Sequence, residues 1–298
     1  MVYQKAFLFN GIGSEPERLL SKMTKDMVEK FKQYQFEAFS LVNLNTDIEK
    51  NYPEDKLIAK WITSSVCDKV VFEKFIERGI FPDIGAGYSS GIVSICAAFS
   101  VFTYEFAYKI IMSNKLTMNA LKANNKNLDM GVIIGLDVNF VRELISKFHL
   151  ENKVFIGSIN SKVYTLITGE ADSVELLLNA ASDEGAMKSI KMNVGISYHC
   201  PLIAPYCLEY NSFCATGKYN DPDYPIISVY DRRIMTSADD LRQENCINVP
   251  SPLRWDLTLC RLEELGVTEF FDMSADCTIK RFSRCECKST KIFAHTDI

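Results

Sequence analysis

Residues 81–100 read FPDIGAGYSSGIVSICAAFS and contain the pentapeptide Gly87-Tyr88-Ser89-Ser90-Gly91. The apolar residues before the pentapeptide are typical of a buried strand, and those after it are typical of a helix that packs on a sheet. The two glycines allow a tight turn that holds Ser89 in a strained conformation at its apex. The stretch therefore predicts a strand, a sharp turn and a helix, with Ser89 as a nucleophile. The free amide of Ser90 can then donate to an oxyanion at the helix N-terminus.

Composition limits the remaining possibilities. With 298 residues, of which 47% are hydrophobic, the chain can bury a large core and hold one large domain with a smaller inserted one. A net charge of −5 argues against a nucleic-acid partner. The N-terminal apolar run is too short for a signal peptide, and no run reaches the roughly 18 apolar residues of a membrane span. We therefore expect a cytoplasmic protein with no membrane partner.

The cysteines are numerous but scattered. Ten are present, without paired CxxC spacing, which favours reduced and mostly buried thiols over disulfides. Cys285-Glu286-Cys287 is a weak metal signal in a chain with three histidines. We expect no metal site.

The first part of the chain has the pattern of a three-layer α/β core. Residues 5–10 predict a strand, and the glycine turn at 11–14 leads into a helix predicted over 15–34. Further helices are predicted over 53–65, 66–77 and 102–124.

The pattern changes from residue 128 to residue 194. Strand and helix signals follow one another in the order β-α-β-β-α-β, which is the split βαβ unit of a ferredoxin-like domain. The sequence thus predicts an α/β large domain formed by residues 1–125 and 196–298, with a ferredoxin-like small domain at 126–195.

A serine needs a base, and the chain offers three histidines. His149 ends a helix of the inserted unit and His295 is three residues from the terminus, so both are expected at the surface. His199 follows the insertion directly, beside Tyr198, where a cleft between two domains would be lined. It is the best candidate for the general base.

Several motifs together resemble the malonyl-CoA:acyl-carrier-protein transacylase family and the related acyltransferases of polyketide assembly. FLFNGIGSE stands where the family has FPGQGSQ, and GYSSG where it has GHSLG. VGISYHCPLIAP resembles the family's histidine segment, and NVPSPLRW its QLTSPVRW. The motifs occur in the family's order along nearly the whole chain.

The resemblance implies a hydrolase-like α/β core with a ferredoxin-like insert and an active site between them. It also implies roles for individual residues. It implies a catalytic dyad of Ser89 and His199, with the histidine oriented by the main-chain carbonyl of Asn248. It also implies an oxyanion hole formed by the amides of Ser90 and Ile12. No cofactor is implied, because phosphopantetheine arrives on CoA or on the carrier protein.

The chain departs from the family at the acyl pocket. Malonyl-specific members carry an arginine, in a pattern close to RGxxM, that pairs with the free carboxylate of the substrate. Asn114 stands at that position, and Lys115 is turned about 100° away along the helix. Because an unpaired buried carboxylate is costly, we expect an acyl group without a terminal carboxylate.

Other departures make the pocket less polar. Tyr88 replaces a histidine, Ile12 a glutamine and Ile92 a glutamate, and Tyr198 is expected beside the substrate. A segment at 272–276 replaces the family's EVGPG, so that loop is expected to differ in shape.

The sequence favours an acyltransferase that moves a non-carboxylated acyl group between a thioester and an acyl carrier protein. Two alternatives stay open, a hydrolase that clears acyl groups from carriers with the same dyad, and an inactive carrier-binding scaffold. Carriers are generally acidic, so a basic docking surface is expected. The candidates are the tail (Lys280, Arg281, Arg284, Lys288 and Lys291) and the inserted unit (Lys188 and Lys191).

Overall fold

The computed structural model describes residues 2–11, 16–283 and 290–298. The expectations for Ile12, Arg284, Lys288 and the Cys285-Glu286-Cys287 motif fall on residues outside these ranges. The helices are α1 (Pro16–Leu20), α2 (Lys25–Leu41), α3 (Pro53–Glu77), α4 (Gly91–Ala98), α5 (Tyr104–Ala123), α6 (Val138–Lys147), α7 (Ala171–Asp183), α8 (Leu208–Thr216), α9 (Ala238–Ile247), α10 (Trp255–Glu264) and α11 (Thr278–Ser283). Short 3₁₀ helices span Ile48–Lys50, Pro201–Tyr206 and His295–Asp297.

The strands form two sheets. They are β1 (Lys5–Phe9), β2 (Ile84–Gly87), β3 (Leu128–Ile134), β4 (Val154–Ser161), β5 (Tyr164–Glu170), β6 (Lys188–Lys191), β7 (Ile226–Ile227), β8 (Ile234–Met235), β9 (Leu253–Arg254), β10 (Glu269–Asp272) and β11 (Lys291–Ala294). The larger sheet has the order β11-β10-β1-β2-β7-β8, and only its β7–β8 pair is antiparallel. The smaller has the order β6-β3-β5-β4-β9.

The larger sheet is buried on both faces, as is usual for a parallel sheet. Phe7 and Phe9 of β1 face a core built with α3, α4 and α5, while Ala6 and Leu8 face a second core with α10 and α11. Phe9 is in register with Gly87 of β2. The turn after β2 therefore stands at the carboxyl edge of the two central strands, where ligands bind in open α/β sheets.

The smaller sheet follows the predicted β-α-β-β-α-β order. Helices α6 and α7 cover one face, and the opposite face joins the main core through Leu128, Met130 and Leu166. Strand β9 adds a fifth strand, parallel to β4, from outside the predicted segment 126–195. The domain boundaries themselves stay a prediction.

Several predicted helix boundaries are wrong. The single helix expected over 15–34 is interrupted, because the Thr24 hydroxyl accepts a hydrogen bond from the Met27 amide at 3.5 Å and so begins α2. The two helices expected over 53–65 and 66–77 are one continuous helix, α3. No glycine or proline separates them, so nothing stops the helix at residue 65.

Among the described residues, none of the helices has both the length and the apolar composition needed to cross a lipid bilayer.

The close approach of α4 to β1 gives a testable requirement for Gly91. A Cβ atom at this position would lie 2.4 Å from the main-chain oxygen of Phe9 and 2.6 Å from that of Asn10. Because backbone cannot give way as a side chain can, we expect Gly91→Ala to lower the free energy of unfolding by about 3 kcal/mol. Chemical denaturation measures the change.

Gly185→Ala is the matched control. Gly185 has a φ of +88° but no atom within 4 Å of the added Cβ, so only backbone strain of about 1–2 kcal/mol is expected. Equal destabilisation by the two variants would contradict the proposed packing constraint at Gly91.

Candidate active site

The turn between β2 and α4 holds Ser89 at its apex. Ser89 has a φ of 54°, in the left-handed region that residues with a side chain rarely adopt. The Tyr88 amide donates to the Phe9 carbonyl at 2.9 Å, and the Gly91 amide donates to the Tyr88 carbonyl at 2.8 Å. These bonds fix the turn on both sides of the serine, so its hydroxyl is presented in one direction.

Ser89 and His199 are brought together from distant parts of the chain. The Ser89 Oγ lies 2.8 Å from the His199 Nε2, a hydrogen-bond distance, although 110 residues separate them. His199 also has a positive φ, 63°, and its main-chain amide donates to the Val249 carbonyl at 2.7 Å. Both partners are therefore held in backbone conformations that the surrounding structure must stabilise.

Two main-chain carbonyls orient the imidazole. The His199 Nδ1 lies 3.1 Å from the Asn248 oxygen and 3.1 Å from the Ser251 oxygen. Because a carbonyl oxygen only accepts hydrogen bonds, Nδ1 carries the proton and Nε2 is left to accept from the Ser89 hydroxyl. The Asn248 carbonyl is the one expected from the sequence. The Ser251 carbonyl is not, since a main-chain acceptor has no residue-type signature.

Burial keeps this histidine neutral. Only 2% of His199 is exposed, and its burial lowers the pKa to about 4, although its hydrogen bonds to Ser251 and Asn248 act in the opposite direction. The imidazole is therefore unprotonated at neutral pH and can accept a proton.

The predicted oxyanion donor Ser90 precedes α4 as its N-cap residue. Among the described residues, no main-chain carbonyl accepts a hydrogen bond from the Ser90 amide. Gly11 lies against this turn, because a Cβ atom there would be 3.1 Å from the Ser89 Cβ. The Ser90 amide is thus available for a negatively charged oxygen.

Tyr88 links the turn to the small sheet. Its ring packs against Trp255 and Phe282, with ring centroids 5.4 and 5.2 Å apart. Burial raises the pKa of its phenol to about 12, and hydrogen bonds with Ser158 and Asn160 of β4 partly offset this effect. These contacts give Tyr88 a packing role; its contact with substrate stays a prediction.

Asn114 is fully buried and supplies no charge. It is 0% exposed, and its Nδ2 donates to the carbonyls of Ile110 and Ile111, one turn back on α5, at 3.3 and 3.2 Å. Its Oδ1 has no partner within the described part of the chain. Lys115 does not replace an arginine, because it forms an ion pair with Asp55.

Tyr198 is buried beside the catalytic candidates. Its ring centroid lies 6.3 Å from that of His199 and 6.2 Å from that of Trp61. Burial raises the pKa of its phenol, whose oxygen has no partner in residues 2–11, 16–283 and 290–298. It is therefore an uncharged wall next to the histidine.

The other two histidines differ from each other. His149 is exposed, as expected. The expectation that His295 is at the surface is wrong. It is buried, and its Nε2 lies 2.8 Å from the Ala275 carbonyl, because β11 adds to the edge of the large sheet and carries the terminus inward.

In the parts of the chain that the structure describes, no group of three or more histidine, cysteine, aspartate or glutamate side chains could hold a metal ion.

This fold and this site define a hydrolase-like α/β protein in which a buried, neutral histidine accepts from a serine at a strand–helix turn. No family model matches the chain. The chain is 28% identical over 213 residues to the malonyl CoA-acyl carrier protein transacylase of Bacillus subtilis (strain 168), a match that spans 71% of this chain and 66% of that protein. It is 26% identical over 255 residues to the transacylase of the same name from Buchnera aphidicola subsp. Schizaphis graminum, spanning 84% and 82% of the two chains.

Solved structures agree on the fold. The malonyl CoA-acyl carrier protein transacylase of Coxiella burnetii superimposes with a TM-score of 0.82 at 24% identity and covers 99% of this chain and 95% of its own. A malonyl-transacylase in complex with a type II polyketide acyl-carrier protein gives 0.81 at 20% identity, with coverage of 98% and 95%. The predicted fold class and the resemblance to the transacylase family are confirmed. The relatives' shared name, transacylase, agrees with the predicted class of enzyme.

The buried environment predicts how His199 titrates. Because burial lowers its pKa to about 4, the ring should remain neutral as the pH falls through 6.5 and become protonated only near pH 4. An NMR titration of the imidazole signals tests this expectation. Comparison with His199→Gln identifies which signals belong to His199, and a midpoint at or above 6.5 would contradict the electrostatic account.

Proposed function

We propose that this protein is an acyltransferase that moves a non-carboxylated acyl group between a thioester donor and an acyl carrier protein through an ester of Ser89. The observation that carries the proposal is the 2.8 Å contact between the Ser89 hydroxyl and a neutral His199 whose proton lies on the opposite ring nitrogen. The names of the relatives, all transacylases, support it.

The first half of the reaction transfers the acyl group to the protein. His199 takes the proton of Ser89 as the serine oxygen attacks the thioester carbonyl, and a tetrahedral oxyanion forms. The amides of Ser90 and Ile12 stabilise that oxyanion. The carbon–sulfur bond then breaks, His199 returns the proton to the leaving thiolate, and the acyl–Ser89 ester remains.

The second half reverses these steps with another thiol. His199 deprotonates the thiol of the acceptor's phosphopantetheine, the thiolate attacks the ester, and Ser89 regains its proton. No cofactor of the protein's own takes part, because phosphopantetheine arrives on CoA or on the carrier.

The charges at the expected acyl pocket indicate which class of acyl group the protein accepts. The relatives are named for malonyl, whose free carboxylate needs a cation when it is buried. Here Asn114 is an uncharged side chain bonded to its own helix, and Lys115 is neutralised by Asp55. A carboxylate placed beside Asn114 would be left without a counter-charge, which favours an acyl group that ends in a neutral carbon chain.

Fatty-acid or polyketide-type biosynthesis is the setting we propose, since both use carriers of this kind. The cytoplasm is the proposed compartment. None of the cysteines in residues 16–283 forms a disulfide, which accords with a reducing environment.

Intact-mass measurement after mixing with acyl-CoAs tests the reaction and its specificity. We expect acetyl- or butyryl-CoA to add one acyl group to the wild-type protein, and Ser89→Ala to abolish the adduct. Malonyl-CoA should load more slowly by about 100-fold, which corresponds to about 3 kcal/mol for an unpaired carboxylate.

Ser182→Ala, on the exposed end of α7, is the control and should load like the wild type. Rapid release of the acyl group without an acceptor thiol would indicate a hydrolase instead, and no adduct with any acyl-CoA would indicate a scaffold. Efficient malonyl loading would refute the role given to Asn114.

A further inference from the structure

Tyr230 contacts the residue that orients the histidine. Its hydroxyl donates to the Asn248 Oδ1 at 2.5 Å and lies 3.3 Å from the Asn248 main-chain oxygen. That main-chain oxygen is one of the two acceptors of the His199 Nδ1 proton. A tyrosine hydroxyl therefore stands one hydrogen bond behind the imidazole.

The backbone of Tyr230 and of the residue before it is itself held by hydrogen bonds. Its amide donates to the Ser228 hydroxyl at 3.1 Å, and the preceding amide of Val229 donates to the Glu244 carboxyl at 3.2 Å. Glu244 lies on α9, the same helix whose C-cap is Asn248. The segment after β7 and the end of α9 are thus fixed to each other.

Burial also determines which group donates the hydrogen bond. It raises the pKa of Tyr230, with Glu244 adding to the effect, so the phenol keeps its proton and acts as a donor. Asn248 in turn is 3% exposed, so no bulk water replaces the tyrosine.

We propose that Tyr230 is a positioning residue: by holding the Asn248 side chain and carbonyl, it keeps the His199 ring in line with Ser89. The proposal rests on the proposed function for its kinetic consequences. Groups one bond behind a reacting residue typically change its performance by about 10-fold, as they do around metal-bound histidines. The Ser251 carbonyl remains after the tyrosine hydroxyl is removed, so the loss should be partial.

A double-mutant cycle tests this inference. Tyr230→Phe and Asn248→Ala each remove one partner of the same hydrogen bond and leave the Asn248 main-chain carbonyl in place. We expect each to lower kcat for acyl transfer about 10-fold with little change in KM. The double variant should be no slower than either single one, because the interaction is lost only once.

Tyr34→Phe is the matched control, since it removes a hydroxyl on α2 that donates to Glu73 on α3 and should leave kcat unchanged. Additive losses in the double variant, or an unchanged kcat in Tyr230→Phe, would overturn the proposal. NMR exchange of the His199 Nδ1 proton provides a readout independent of activity. Faster exchange in Tyr230→Phe is expected even if the wild type were to form no acyl adduct.

A second, independent observation concerns the free edge of the small sheet. Met130 and Val132 of β3 belong to the main core, so this face of the sheet points toward the large sheet and not toward α6 and α7. Thr168 of β5 is in register with Met130, and it lies on the His199 side, because a Cβ added at Gly157 would meet both Thr168 and His199.

Strand β6 continues that face beyond the core. Ile190 is opposite Val132, Lys188 is opposite Ile134, and the Met192 amide bonds to the Met130 carbonyl. Ile190 is 49% exposed and Met192 40%. Two strand spacings, about 10 Å, separate β6 from β5. An apolar strip with one lysine therefore lies on the face of the small sheet that also carries Thr168, the residue on the His199 side.

We infer that this face of β6, formed by Lys188, Ile190 and Met192, docks the acyl carrier protein. The three residues and the β3 residues beside them on this face, Ile134, Val132 and Met130, include no carboxylate, although the chain as a whole is acidic. Such a surface suits an acidic partner that also makes apolar contacts. The tail is less suited, because Lys280 pairs with Asp297 and Arg281 pairs with Asp276. This inference also rests on the proposed function.

The test separates docking from chemistry. We expect the double variant Lys188→Glu, Ile190→Ser to raise the KM for an acyl carrier protein about 10-fold, while loading of Ser89 from acyl-CoA stays unchanged. Lys147→Glu, an exposed lysine on α6, is the control. An unchanged KM for the carrier, or an equal rise in the control variant, would exclude this docking surface. If the wild-type protein forms no acyl adduct with acyl-CoA, that result would instead count against the proposed function.

Discussion

The hydrogen bond between Ser89 and His199 is the constraint on which the rest of the structure depends. Its two ends come from different segments, and each sits in a left-handed backbone conformation. Such conformations cost about 1–3 kcal/mol each and persist only when neighbouring contacts impose them. On the serine side the contact is the close approach of α4 to β1. On the histidine side it is the bond from the His199 amide to Val249.

The proposed base has no acidic partner among the described residues. In a Ser–His–Asp triad, a carboxylate stabilises the imidazolium that forms during the reaction. Here the Nδ1 proton meets two carbonyl dipoles, and desolvation favours the neutral ring. In the proposed reaction, an imidazolium would be stabilised mainly by the nearby oxyanion, so proton transfer and attack on the substrate would occur together.

Much of the architecture could be predicted because it depends on residue patterns within short stretches of the sequence. The strand–turn–helix around Ser89 follows from its two glycines, and the order of the small sheet follows from alternating strand and helix signals. Helix boundaries were harder, because whether Thr24 begins a new helix depends on a single hydroxyl. The burial of His295 has no local signal, because it results from the pairing of β11 with β10, a contact between separate segments. Ser251 acts on the imidazole through its main-chain oxygen, and Tyr230 acts on the side-chain amide and main-chain oxygen of Asn248. Neither kind of contact leaves a recognisable motif.

Strand β9 belongs in sequence to the large unit but in space to the small sheet, where it runs beside β4. It begins two residues after Ser251, one of the acceptors of the imidazole proton. Any displacement of the small sheet would therefore also displace the Ser251 carbonyl that accepts from the His199 Nδ1. The geometry around the imidazole is thus coupled to the relative placement of the two sheets, although the histidine itself belongs to neither.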